Sequence, residues 1–208
     1  MKRFCLLAGG TAVALSSTVA VAQPQTSTVR DNGFSYNYVQ GGFEHRDWDN
    51  SLDIDGLDGK ISWALDEHLF LRGGMQFFDG DVDVPGPGRN VDADGWQLSA
   101  GMGFHTPLKT GLDLVLTGDI VHIDVDNGGD ETGYEITGGV RHETTAQVEL
   151  TGGAYLQDIE DSDFGVFGGA LYHVSQAVDV GAEVRFGDDL TQFGPVSYTH
   201  LTLPTKPS

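Results

Sequence analysis

The stretch V-D-V-G-A-E-V-R-F sets Val178, Val180, Ala182, Val184 and Phe186 against Asp179, Gly181, Glu183 and Arg185. A period of two puts the first set on one face of a β-strand and the second on the other. The pattern recurs along the chain. Trp96, Leu98, Ala100, Met102 and Phe104 alternate with Gln97, Ser99, Gly101 and Gly103, and Tyr134, Ile136, Gly138 and Val140 with Glu135, Thr137, Gly139 and Arg141. Ten such runs begin near Phe34, Ile54, Leu69, Ala93, Leu112, Thr132, Gln147, Asp163, Val178 and Thr191. Each is close to the about 9–11 residues of a tilted membrane strand. No run keeps apolar residues at three-four spacing for more than a turn, so helices do not account for it.

Charge decides which face meets which solvent. Asp58, Lys60, Arg72, Asp119, Glu135, Arg141, Glu149, Glu183 and Arg185 all fall on the polar face of their runs. A Lys or Arg facing lipid at the midplane costs about 2–4 kcal/mol, so the apolar face is the lipid face and these nine residues form a lumenal charge network. A soluble barrel carrying an apolar ligand would show the inverse pattern. The expected fold is therefore all-β: an antiparallel up-and-down transmembrane β-barrel of ten strands, with eight as the second choice.

The connections support this topology. Short, nearly neutral turns such as D-E-H at 66–68 alternate with acidic, longer ones such as D-G-D-V-D-V-P-G-P-G at 79–88. Membrane barrels have short turns on one rim and longer loops on the other. Phe34, Tyr36, Trp63, Phe104 and Tyr172 are expected on the lipid face at the short-turn rim, and Trp96, Tyr134, Phe164 and Phe186 at the loop rim, where amphipathic rings favour the headgroup level. Glycine pairs inside the strands, Gly138-Gly139 and Gly152-Gly153 among them, read as relief for curvature in a narrow barrel crowded by Arg and Tyr.

The N-terminus sets the compartment. Lys2 and Arg3, an apolar run from Phe4 to Leu15 and Ala20-Val21-Ala22 make residues 1–22 a secretory signal peptide. Residues 23–32 follow as a polar linker, and 33–195 as the barrel. Cys5 is the one cysteine, so no disulfide or Cys-based metal site is expected after export. The formal net charge of -20 argues against a nucleic-acid partner. No cofactor is expected.

Three constellations carry possible chemistry. Asp124 to Glu131 reads D-V-D-N-G-G-D-E and resembles a calcium loop in its spaced carboxylates, but lacks the length and flanking helices of an EF-hand. Together with Asp79, Asp81 and Asp83, the carboxylates Asp124, Asp126, Asp130 and Glu131 are candidate outer-loop ligands for Ca²⁺ or Mg²⁺; the identity of any metal stays open. His122 and Asp124, two apart on one face, suggest the alternative of a barrel hydrolase with a His/Asp site. Deleting the loop Asp126 to Glu131 would test another alternative, an acidic-loop adhesin. His68, His105, His142 and His173 fall at separate strand ends along the short-turn rim, and no catalytic residue is assigned.

F-S-Y-N-Y-V-Q-G-G after the linker and T-Q-F-G-P near the end resemble the first and closing strands of a ten-stranded group of small, porin-like outer-membrane β-barrel proteins of Gram-negative bacteria. The resemblance implies insertion into the cell outer membrane by the barrel assembly machinery and contact with outer-membrane lipid and lipopolysaccharide. It carries over no catalytic residue. Members of such families end on an aromatic residue, and this chain does not. Its V-S-Y-T-H-L-T-L-P-T, read in one frame, resembles a translated transposon-end sequencing adapter, so residues 196–208 are expected to be a non-native tail on a truncated last strand. The expected function is non-enzymatic: a structural or surface-interaction role, or a narrow diffusion pathway favouring cations.

Overall fold

The computed structural model describes residues 33–48, 52–83, 90–92, 94–126, 129–159, 162–188 and 190–201. The segments expected to be a signal peptide (1–22) and a linker (23–32), and residues 202–208, lie outside the described residues. Strand follows strand: β1 (Tyr38–Trp48), β2 (Leu52–Ala64), β3 (Leu69–Asp83), β4 (Asn90–Asp92), β5 (Gly95–Lys109), β6 (Leu112–Val125), β7 (Gly129–Thr145), β8 (Val148–Asp158), β9 (Ser162–His173), β10 (Val178–Phe186) and β11 (Leu190–His200). β4 only prolongs the β3 ladder opposite Asp81 to Asp83. The other ten strands each pair antiparallel with the next, and β11 closes on β1 from Tyr38↔His200 to Trp48↔Leu190. The fold is a closed ten-stranded up-and-down barrel. β11 runs through Val196–His200, the adapter-like stretch, because V-S-Y-T-H keeps the period of two.

The faces are inverted relative to a soluble protein. Leu57 and Ile120 are 64% and 65% exposed on the outside, while Asp119 and Glu149 are 6% and 2% exposed on the inside. Trp63, Phe104 and Tyr172 are exposed toward the rim of short turns, and Tyr134, Phe164 and Phe186 toward the loop rim, as two aromatic girdles require.

Two expectations are corrected. β3, β5, β6 and β7 are 15, 15, 14 and 17 residues long, longer than a membrane crossing needs. Asp79, Asp81, Asp83, Asp124, Asp130 and Glu131 thus sit on strand extensions past the apolar belt and not in the loops themselves. The first strand begins at Tyr38 and not at Phe34. Phe34 and Tyr36 do not meet lipid: they are 4% and 5% exposed, packed with Phe70 inside the barrel. The parity of β1 explains this. Gln40 and Glu44 are buried and Val39 and Phe43 exposed, so even-numbered positions point inward and Tyr36 continues that series.

The lumenal member of several glycine pairs makes room for an aromatic ring. A Cβ on Gly139 or on Gly153 would strike the ring of Phe167, and one on Gly103 would land in the ring of Phe70. Crowding by inward Phe, as much as by Arg and Tyr, accounts for these glycines.

Candidate functional site: the lumen

The lumen is a stack of three layers. At the terminal rim, which carries both described chain ends, residues 33–37 turn into the barrel. Tyr36 stacks on His105 with centroids 3.8 Å apart and on Phe70 at 4.9 Å. Its hydroxyl donates to Asp113 Oδ2 at 3.0 Å, and its carbonyl accepts from Ser62 Oγ at 2.7 Å. The Arg141 guanidinium lies 5.0 Å over the Phe34 ring and 4.9 Å over Tyr36. It also donates to Glu149 through Nε at 2.7 Å and Nη2 at 3.0 Å, and to the Ser35 carbonyl at 3.3 Å. Fixing both ends of a bidentate carboxylate pair restricts Arg141 to one pose, and that pose clamps the N-terminal segment in place.

Above this cluster a chamber of about 150 Å³ is lined by Lys60, Arg72, Arg141 and Arg185 among other side chains. A second chamber of about 390 Å³ opens toward the loop rim. Lys60, Arg72 and Arg185 line both chambers, so these three cations form the septum between them. Each has a carboxylate beside it on the loop side. Arg185 holds Glu135 at 2.6 and 3.2 Å. Arg72 Nε is 3.2 Å from Asp119 Oδ1, and Lys60 Nζ is 3.8 Å from Asp58 Oδ2. The first pair is tight and bidentate; the other two are loose.

The residues expected to form a lumenal charge network fall into three groups. Asp58, Lys60, Arg72, Asp119, Glu135 and Arg185 meet at the septum, Arg141 and Glu149 form the terminal clamp, and Glu183 accepts from Tyr198 Oη at 2.5 Å. Sequence reasoning missed Glu44, which accepts from Gln76 and, at 2.6 Å, from Gln192, with Arg46 Nε 2.7 Å away. The parity of Gln40, Gly42, Glu44 and Arg46 was the available signal. It was masked because Phe34 and Tyr36 share that parity and look like lipid anchors.

The remaining candidates do not converge. His122 and Asp124 share the outward parity of β6, away from the lumen; His122 Nδ1 meets Thr132 Oγ1 at 2.8 Å and its ring lies 5.4 Å from Trp96. His105 belongs to the terminal cluster, and His173 Nδ1 is 2.8 Å from Asp179 Oδ1. On the strand extensions, acidic residues stand opposite one another: Asp55↔Asp79 and Asp124↔Asp130. Like charges directly opposed across a ladder are destabilising. Among the described residues no three His, Asp or Glu side chains gather closely enough to hold a metal ion.

No protein-family model matches the chain, and no curated protein matches its sequence. Solved structures do match. An outer membrane channel from Pseudomonas putida F1 superposes with a TM-score of 0.52 at 9% identity, over 85% of this chain and 100% of that one. The chain has the fold of small, porin-like outer-membrane barrels. The KdgM porin in complex with disordered oligogalacturonate (TM-score 0.48, 8% identity, 79% of this chain and 99% of that one) and the NanC porin (0.48, 7%, 79% and 100%) are also similar to it.

Proposed function

We propose that this protein is a non-enzymatic barrel of the outer membrane that gives small cations a narrow diffusion pathway, with its acidic rim outside and its terminal rim in the periplasm. The observation that carries the reading is the lumen itself. Charged side chains line it from end to end, and the inward carboxylates Glu44, Asp58, Asp113, Asp119, Glu135, Glu149, Asp179 and Glu183 outnumber Arg46, Lys60, Arg72, Arg141 and Arg185. A low-dielectric wall with an excess of one sign concentrates the opposite ion. The opposed aspartates at the loop rim extend this field outward, where Ca²⁺ or Mg²⁺ would relieve their repulsion from each other and from anionic lipopolysaccharide. The exposed apolar belt suits outer-membrane lipid, with insertion by the barrel assembly machinery.

The test is the reversal potential of the refolded barrel in a planar bilayer under a KCl gradient. A small conductance with potassium preferred is expected. Anion preference, or no current at any salt concentration, contradicts the reading.

A further inference from the structure

The two loose pairs at the septum differ in kind from the other lumenal ion pairs. Asp58 and Asp119 have side chains only 8% and 4% exposed. Oδ2 of Asp58 and both carboxylate oxygens of Asp119 are buried with no hydrogen-bond donor. Unsatisfied buried acceptors are costly and uncommon, and they call for a donor that the wall does not supply. Their cationic neighbours remain partly open, with Lys60 35% and Arg72 25% exposed. All four residues line the same 390 Å³ chamber, a volume within the range of small-molecule sites.

Both carboxylates lie against glycines of the neighbouring strand. In the register Gly101 stands directly between Arg72 of β3 and Asp119 of β6, and a Cβ there would run into the Asp119 carboxylate. Gly42 of β1 stands directly opposite Asp58 of β2, and a Cβ there would likewise meet the Asp58 carboxylate. Each loosely held carboxylate thus rests on bare backbone, with no side chain there to supply a donor. The chamber carries as many carboxylates as cations, and Ser99, Gln97 and Gln157 supply neutral polar groups. A wall balanced in this way offers a guest both signs at once.

We propose that the loop-side chamber binds a small zwitterion, an ammonium carboxylate of amino-acid size, its ammonium donating to Asp58 and Asp119 and its carboxylate accepting from Lys60 and Arg72. The guest replaces two loose pairs by charge-assisted hydrogen bonds, which the tight Arg185–Glu135 pair has no capacity to add. This deepens the channel reading by naming a solute class that pauses in the pathway.

The experiment is saturation-transfer NMR of L-alanine on the refolded barrel in detergent, with propylammonium and propanoate as half-molecules. Binding of alanine is expected, with each half-molecule weaker by about tenfold or more, the worth of one lost charge-assisted bond. Asp58→Asn and Arg72→Gln should each weaken alanine by a similar factor, while Lys60→Arg, which keeps the charge, should retain it. Circular dichroism of each variant confirms the folded barrel. Equal binding of propylammonium, equal binding of propanoate, or alanine binding untouched by both variants overturns the proposal. Potassium current without alanine binding defeats this proposal alone, and alanine binding without current defeats the channel reading alone.

Discussion

At the terminal end of the lumen, Tyr36 is stacked between rings, Arg141 is held by a bidentate carboxylate, and the chain's own residues 33–37 take up the space. At the loop end the same barrel wall encloses about 390 Å³, with aspartates that lack donors and cations that stay partly open. One end is packed like a protein interior and the other is left unfilled. The difference teaches what holds the barrel and what does not: satisfied pairs and stacked rings stabilise it, and the loose pairs leave lumenal volume and bonding capacity unused.

Breaking the packed end should have the largest effects. Arg141→Gln leaves Glu149, 2% exposed, without its partner, and losing one member of a buried pair costs about 3–5 kcal/mol. Urea unfolding in lipid vesicles should show that loss. Tyr36→Ala removes a buried ring and its bond to Asp113, with an expected cost of about 3 kcal/mol and, in bilayers, a conductance above that of the unaltered protein. Gly103→Ala sharpens the comparison from the wall side: its methyl enters the Phe70 ring, and overpacking of this kind costs about 1–3 kcal/mol. Asp58→Asn at the loose end should change stability by less than about 1 kcal/mol, since the buried Oδ2 has no hydrogen bond to lose and the Lys60 left behind is partly open to solvent.

The smallest effect belongs to the turn between β2 and β3. Asp66 accepts the backbone N–H groups of His68 and Leu69, both at 2.8 Å, and these bonds hold its carboxyl below the usual range. The unfolded chain then binds the proton more readily than the folded one. Stability from this group is therefore present above the ordinary carboxylate pKa and lost as pH falls through the lower folded value. Asp66→Asn should flatten that acid limb slightly.

The wall was legible because a period of two is a direct consequence of strand geometry and because lipid excludes charge. Lys60, Arg72, Arg141 and Arg185 were placed inward on that ground alone, and the ten-strand count followed from the number of alternating runs. The plug was not legible. Phe34 and Tyr36 alternate like lipid anchors, and only the contacts with Phe70, His105 and Arg141, far away in sequence, show that they turn inward. Nor could alternation distinguish the tight Arg185–Glu135 pair from the loose Lys60–Asp58 pair: both are inward charges, and their separation depends on side-chain geometry across the barrel.

The most direct measurement of the asymmetric lumen is thiol accessibility from the loop side. Cys5 is the chain's only cysteine, so a protein with Cys5 replaced reports each introduced thiol singly. With a cationic methanethiosulfonate added at the loop rim, Ser99→Cys in the open chamber should react fast. Thr117→Cys, below the septum and lining the smaller chamber, should react slowly, and should speed up when Tyr36→Ala is added. Equal rates at the two positions would contradict the account.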